Sequence, residues 1–220
     1  MHIPDGFVST PINLATGAAT IVAVGYAVRQ ANRNLEASTV PLLGVTAAFV
    51  FAAQMLNFPV AAGTSGHFMG SLLSALLLGP WNALIVMSVV LVLQALMFAD
   101  GGVLALGSNI FNMGIVGGLG GYGIYRGLMA FLPKTKPVFL GACAVAAWIS
   151  IVMASFAAAL ELSLSGTIPL RIAAPAMVGV HSLIGIGEAL ITAATLTLVL
   201  ASRPDLIRAA ANPPGAGRGE

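Results

Sequence analysis

Charge is what this 220-residue chain has least of: Asp, Glu, Lys and Arg together make up 7% of it, while 58% is hydrophobic. Ordinary soluble domains carry about a quarter charged residues, so a soluble globular domain is excluded. The net charge of +2 points to no nucleic-acid partner, because the Lys and Arg lie between or just after apolar runs, where topology signals sit. Cysteine is nearly absent as well. The one present, Cys143, lies inside an apolar run, which rules out an internal disulfide framework or a cysteine metal cluster and leaves packing as its role. No GxxxxGK[ST] phosphate loop occurs, so the chain cannot supply ATP energy itself. No basic region precedes a short apolar core and a small-residue cleavage site, and the N-terminus is expected to be retained.

Long apolar runs are what the chain does have. A helix needs about 20 apolar residues to cross a bilayer, and candidate spans lie at Ile12–Val28, Val40–Asn57, Trp81–Ala99, Leu104–Tyr125, Val138–Glu161 and Pro175–Ala201. A further apolar stretch, His67–Gly79, reaches only about 20 Å as a helix. If it crosses, Arg29, Arg33, Arg126, Lys134, Lys136, Arg203, Arg208 and Arg218 share one side and only Arg171 lies opposite. The positive-inside tendency then predicts an all-α polytopic protein with seven transmembrane helices, the third one short, N-terminus outside and C-terminus cytoplasmic. Residues 1–205 are then expected to form one transmembrane domain with an extracytoplasmic segment 1–11, and 206–220 a flexible Pro/Gly-rich cytoplasmic tail.

In this topology His2, His67 and His181 gather near the outer face with Asp100. The Met1 amine, the deprotonated His2 backbone nitrogen and the His2 imidazole Nδ1 can close a five- and a six-membered ring on one ion. His67 behind Gly63-Thr64-Ser65-Gly66 can bring a fourth nitrogen, and Pro4-Asp5-Gly6 is a turn that folds the first residues back. A planar nitrogen set suits Ni(II) or Cu(II) better than tetrahedral Zn(II). Spacing alone leaves the plainer reading open: an exposed terminal histidine and a histidine that only caps a helix.

The start MHIPDGF, the stretch NFPVAAGTSGHFMGSLLSALLLGPW (Asn57–Trp81) and LQALMFADGGVLALGSNIFNMG (Leu93–Gly114) resemble the CbiM/NikM family, the substrate-capture subunits of energy-coupling-factor transporters for cobalt and nickel. The resemblance implies that Met1, His2 and His67 hold the metal, with Asp5, Ser65 and Asp100 as candidates to orient those ligands. It implies Co2+ or Ni2+ as transported substrate rather than cofactor. The partners it implies are a CbiQ-like transmembrane coupling protein, a CbiO-like cytoplasmic ATPase dimer and a small CbiN-like membrane protein, in a bacterial plasma membrane. The chain itself is then no enzyme. The planar nitrogen set favours nickel, whereas the lack of a fused accessory segment after the last span favours cobalt, which is the reading taken first.

Other constellations compete. Ser65 in a GxSG with His181 is similar to the catalytic dyad of rhomboid-type proteases, but no earlier His/Asn pair is available as oxyanion donor. Gly118–Gly123 matches GxGxxG but lies within a span, where no pyrophosphate binds. The small-residue stripes Ala15, Ala19, Ala23, Ala27 and Gly117, Gly121 serve either internal packing or docking to the coupling protein. Glu188, on one helical face with His181, is either a structural hydrogen bond to Gln94, Asn109, Asn112 or a Thr, or part of an ion relay in a stand-alone transporter.

Overall fold

The computed structural model describes residues 1–56, 58–60 and 64–207. Its helices are α1 (Thr10–Asn34), α2 (Val40–Gln54), α3 (Ser71–Leu78), α4 (Pro80–Phe98), α5 (Leu106–Ile110), α6 (Gly121–Phe131), α7 (Lys136–Leu164) and α8 (Leu170–Ser202). A π-helical stretch, Phe111–Gly120, joins α5 to α6 in one rod. Between α2 and α3, β1 (Phe58–Val60) pairs antiparallel with β2 (Thr64–Gly66). Proline stands in the first turn of α1, α2, α4 and α7, where its missing N–H has no helical partner to lose.

Among the described residues four helices, α1, α4, α7 and α8, are long and apolar enough to cross a membrane. Their outward side chains are those a soluble protein would hide: Ile21, Leu183 and Leu198 are 74%, 72% and 70% exposed. The six longer spans read from the sequence each correspond to a helix or, for Leu104–Tyr125, to the α5–α6 rod. The short candidate His67–Gly79 is helical only over Ser71–Leu78. Gly70 sits at φ +71°, a left-handed conformation that stops the helix from extending upstream. Residues 67–70 therefore need hydrogen-bond partners from elsewhere, and these come from α2 and α8.

The two small-residue stripes part company. Gly117 and Gly121 are buried, and a Cβ at either would press on Met69 or Ser150 at 2.8 Å. That pair admits neighbouring residues of the same chain, so it is not the docking surface that was one of its two expected roles. On α1, Ala15 and Ala19 are exposed, Ala23 is half-buried and Ala27 is fully buried. The buried face of α1 is set instead by Thr16 and Thr20. The Thr16 hydroxyl meets that of Ser108 at 2.8 Å, and Thr20 donates to the Gly107 carbonyl at 2.8 Å. Such interhelical bonds contribute about 0.6 kcal/mol each in a membrane.

Gly107 is what allows this approach, because a Cβ there would lie 2.6 Å from the Gly17 Cα. Gly107→Ala is expected to destabilise the fold by about 1–3 kcal/mol through overpacking. Gly25→Ala, with nothing within 4 Å of the added Cβ, should be neutral or stabilising by up to about 1 kcal/mol. Thermal unfolding in detergent compares the two.

Candidate metal centre

The first residues are not an arm lying on the surface. Met1 and Ile3 are fully buried and His2 is 4% exposed, although chain termini are ordinarily loose. Asn109 of α5 holds them as a neighbouring strand would: its Oδ1 accepts from Ile3 N–H at 2.8 Å and its Nδ2 donates to Ile3 C=O at 3.1 Å. The N–H of Gly102 also donates to that carbonyl at 2.9 Å. The Asp5 carboxylate accepts from the N–H groups of Val103, Leu104 and Ala105 at 3.2, 2.8 and 3.1 Å, joining the segment to the loop that opens α5. The α7–α8 connection holds the far side, where Ser165 Oγ accepts from Ser9 N–H and Thr167 donates to Phe7 C=O.

At the inner tip the His2 and His67 rings stack, 4.4 Å between centroids and 14° from parallel. His2 Nε2–H donates to Gln94 Oε1 at 3.1 Å, which leaves the Nδ1 lone pair facing Asp100 Oδ1 at 3.1 Å. Two negative ends so close call for a proton or a cation between them. His67 Nδ1–H donates to the Phe68 carbonyl at 2.7 Å, so its Nε2 carries the lone pair, buried and with no partner among the described residues. A backbone carbonyl that fixes the tautomer in this way is the usual support of a metal-binding histidine. His181 repeats the pattern, with Nδ1–H on the Met177 carbonyl at 2.7 Å and a bare buried Nε2.

Burial drives the Met1 amine from its usual value of 8.0 to about 5, against the attraction of Asp100. It lowers His2 too, again with Asp100 opposing. Burial thus works against the charged form of both, and the uncharged nitrogen is the form that binds metal. Among the described residues, no three His, Cys, Asp or Glu side chains converge on one point to hold an ion by themselves.

Of the residues expected to orient the ligands, Asp100 faces His2, whereas Asp5 braces the segment from a distance and touches neither histidine. The Ser65 side chain lies outside the described residues, as do Asn57 and 208–220, including Arg208 and Arg218. Glu188 does not bond Gln94, Asn109, Asn112 or a Thr. Its two oxygens accept the backbone N–H groups of Met69 and Gly70, each at 2.7 Å. Sequence reasoning also missed the tie from Asn109 to Ile3 and that from Gln94 to His2. The available signal was the presence of Asn and Gln inside apolar spans, where an unpaired amide is costly.

A helical body with an apolar exterior and helices of membrane-crossing length is that of a membrane protein, and known proteins place it in metal transport. Residues 2–206 match the family described as CbiM, cobalt uptake substrate-specific transmembrane region. A Haloquadratum walsbyi protein named for metal transport is 39% identical, over 94% of this chain and 93% of its own. A chain of Archaeoglobus fulgidus named for nickel transport as fused NikMN is also 39% identical, over 97% of this chain and 70% of its own. A crystal structure of a truncated transition metal transporter superposes with a TM-score of 0.85 at 35% identity, covering 91% of this chain and 99% of that one. The chain belongs to the CbiM family, as a non-catalytic membrane subunit of cobalt or nickel uptake.

The Asp5 brace is open to test. Asp5→Ala removes three hydrogen bonds from the loop ahead of α5 and is expected to cost about 1 kcal/mol, as the loss of a helix cap does. Amide exchange at Ile3 and Gly102 should quicken while exchange in α7 and α8 stays unchanged.

Proposed function

We propose that this chain is the substrate-capture subunit of an ATP-driven energy-coupling-factor importer, and that Met1, His2 and His67 hold the divalent ion. The observation that carries this reading is the buried, uncharged Met1 amine next to His2 and to the bare Nε2 of His67. Amine, His2 backbone nitrogen, His2 Nδ1 and His67 Nε2 supply four nitrogens once the ion draws the rings out of their stack. Cobalt is the first choice of substrate, after the name of the family that matches 2–206. Nickel is the second reading, favoured by the planar nitrogen set and by the NikMN relative.

The chain crosses the membrane seven times, the pass of α3 being half helix and half irregular chain. The N-terminal segment and the α4–α5 and α7–α8 loops lie outside. The α1–α2, α3–α4 and α6–α7 turns face the cytoplasm, together with Arg29, Arg33, Arg126, Lys134 and Lys136. Residues 1–205 act as one substrate-binding domain, with 206–220 as a cytoplasmic tail, in a bacterial plasma membrane. A CbiQ-like coupling protein docks on the small exposed residues Ala15 and Ala19 of α1. A CbiO-like ATPase dimer supplies the energy, and a small CbiN-like protein, of the kind fused in NikMN, assists. An ion relay through Glu188 finds no support, since both of its oxygens already accept backbone N–H groups.

Titration of the purified chain with Co(II) and Ni(II) tests the ligand set. One alanine inserted between Met1 and His2 breaks the chelate rings, and His67→Ala removes one nitrogen. Either change is expected to weaken binding by 100-fold or more, as an order of magnitude for losing a metal ligand outright. Tight binding that survives both would sink the proposal.

The pH profile follows from the same ligands. The His2 backbone nitrogen gives up a proton on binding, so affinity should fall about tenfold per pH unit from pH 7 downward. With the amine at about 5, its protonation adds to the decline only as pH falls through that value, and the slope steepens there instead of near 8. Affinity that is flat between pH 7 and 5 would exclude the backbone nitrogen as a ligand.

A further inference from the structure

The segment that carries His67 belongs to no helix or strand. Residues 67–70 lie between β2 and α3, and Gly70, at the N-cap of α3, has no side chain with which to cap it. The cap arrives from another helix. The Glu188 carboxylate, 1% exposed on α8, takes Met69 N–H on one oxygen and Gly70 N–H on the other, both at 2.7 Å. Gln54 of α2 completes the frame, donating from Nε2 to the Met69 carbonyl at 2.7 Å. Met69 itself seats against Gly117 of the π-helical stretch, where no Cβ stands in its way. The backbone two residues beyond His67 is thus held by one charge-assisted fork and one amide.

A carboxylate buried this deeply is costly unless it is fully hydrogen-bonded. The two short N–H bonds, at the positive end of the α3 dipole, satisfy it. A serine or aspartate cannot cap from position 70, where the backbone is left-handed and a Cβ would lie 2.8 Å from the Phe68 ring. A cap supplied instead by α8 adds something local capping lacks: it makes the position of the 67–70 backbone depend on where α8 stands.

We propose that Glu188 is a positioning residue for the metal site, setting the place of His67 and tying it to α8. The proposal rests on His67 being a ligand. Movement of α8 relative to α2 pulls the Met69–Gly70 backbone, and with it the His67 imidazole, away from the nitrogens of Met1 and His2. The ion then loses one of its four donors and is released from a three-nitrogen chelate. α8 runs on from Glu188 to Ser202 at the end of the bundle away from the buried terminus, so a partner acting at that end has a rigid lever on the site.

The test is a double-mutant cycle on the full chain in detergent, read by Co(II) and Ni(II) affinity and by the visible absorption of the bound Ni(II). Glu188→Gln leaves one oxygen as acceptor and turns an amide N–H toward a backbone N–H, so one half of the fork is lost. It is expected to lower affinity about 10- to 100-fold, as changes to the supports of metal ligands do. The Ni(II) band should shift toward the longer wavelength of the His67→Ala complex, in which water replaces a nitrogen. In the His67→Ala background the same Glu188→Gln change should alter affinity by less than about twofold, because a residue that acts through His67 has nothing left to position.

Equal losses from Glu188→Gln in both backgrounds would overturn the proposal and leave Glu188 with general folding alone. No loss in either background would overturn it as well. If His67→Ala binds as tightly as the parent chain, the ligand assignment fails first and the proposal falls with it. Should Glu188→Gln fail to fold, Glu188→Asp keeps the charge on a shorter arm and is held to the same cycle.

Discussion

Asn109 meets the backbone of Ile3 through both ends of its amide, and Gly102 adds a third bond to the same residue. In an apolar interior a strand of chain with no helix of its own must find such partners, because water is not there to supply them. Everything distinctive about this molecule follows from putting the terminus there. Burial of Met1 works against its charged amine, so its proton affinity falls, with Asp100 opposing. Burial acts in the same direction on His2 and works against its charged form, with Asp100 opposing, so the terminus and the imidazole beside it are both poor holders of a proton.

The remainder of the bundle serves to keep those groups in place. α4 contributes Gln94 to His2, and Asp100, two residues beyond the helix, faces the other ring nitrogen. α2 and α8 hold the backbone that follows His67 through Gln54 and Glu188. The α7–α8 connection closes over the segment by way of Ser165 and Thr167. All but the Gln54 bond span elements far apart in the chain, so the arrangement exists only when the whole bundle has closed. The glycines of the π-helical stretch work to the same end, since Gly117 leaves the space into which Met69 fits behind the histidine.

The spans were legible because a bilayer imposes a length and a hydropathy that no soluble fold shares. His2 and His67 were legible from chemistry, since a histidine at position two behind a free amine has few equivalents and the surrounding motifs resemble one family. Glu188 was not. Seven residues from His181 on one face, it was expected to bond side chains of neighbouring helices, but it bonds main-chain N–H groups. Main-chain donors are present at every residue but proline, so no sequence pattern distinguishes the ones left free. Gly117 and Gly121 show the same limit: a small-residue spacing marks close approach without saying to what, and here the neighbours are Met69 and Ser150 of the same chain.

The sequence by itself determined a helical membrane protein of the CbiM family, the number of long apolar runs, and the residue types able to present nitrogen to a divalent ion. These depend on composition, period and local spacing, which are properties of adjacent residues. The tertiary structure alone decided that the terminus is buried rather than exposed, that Asn109 and Gln94 are its partners, and that α8 caps α3 from across the bundle. Those outcomes turn on which unsatisfied polar groups meet once the helices pack, and in a medium without water each must meet one.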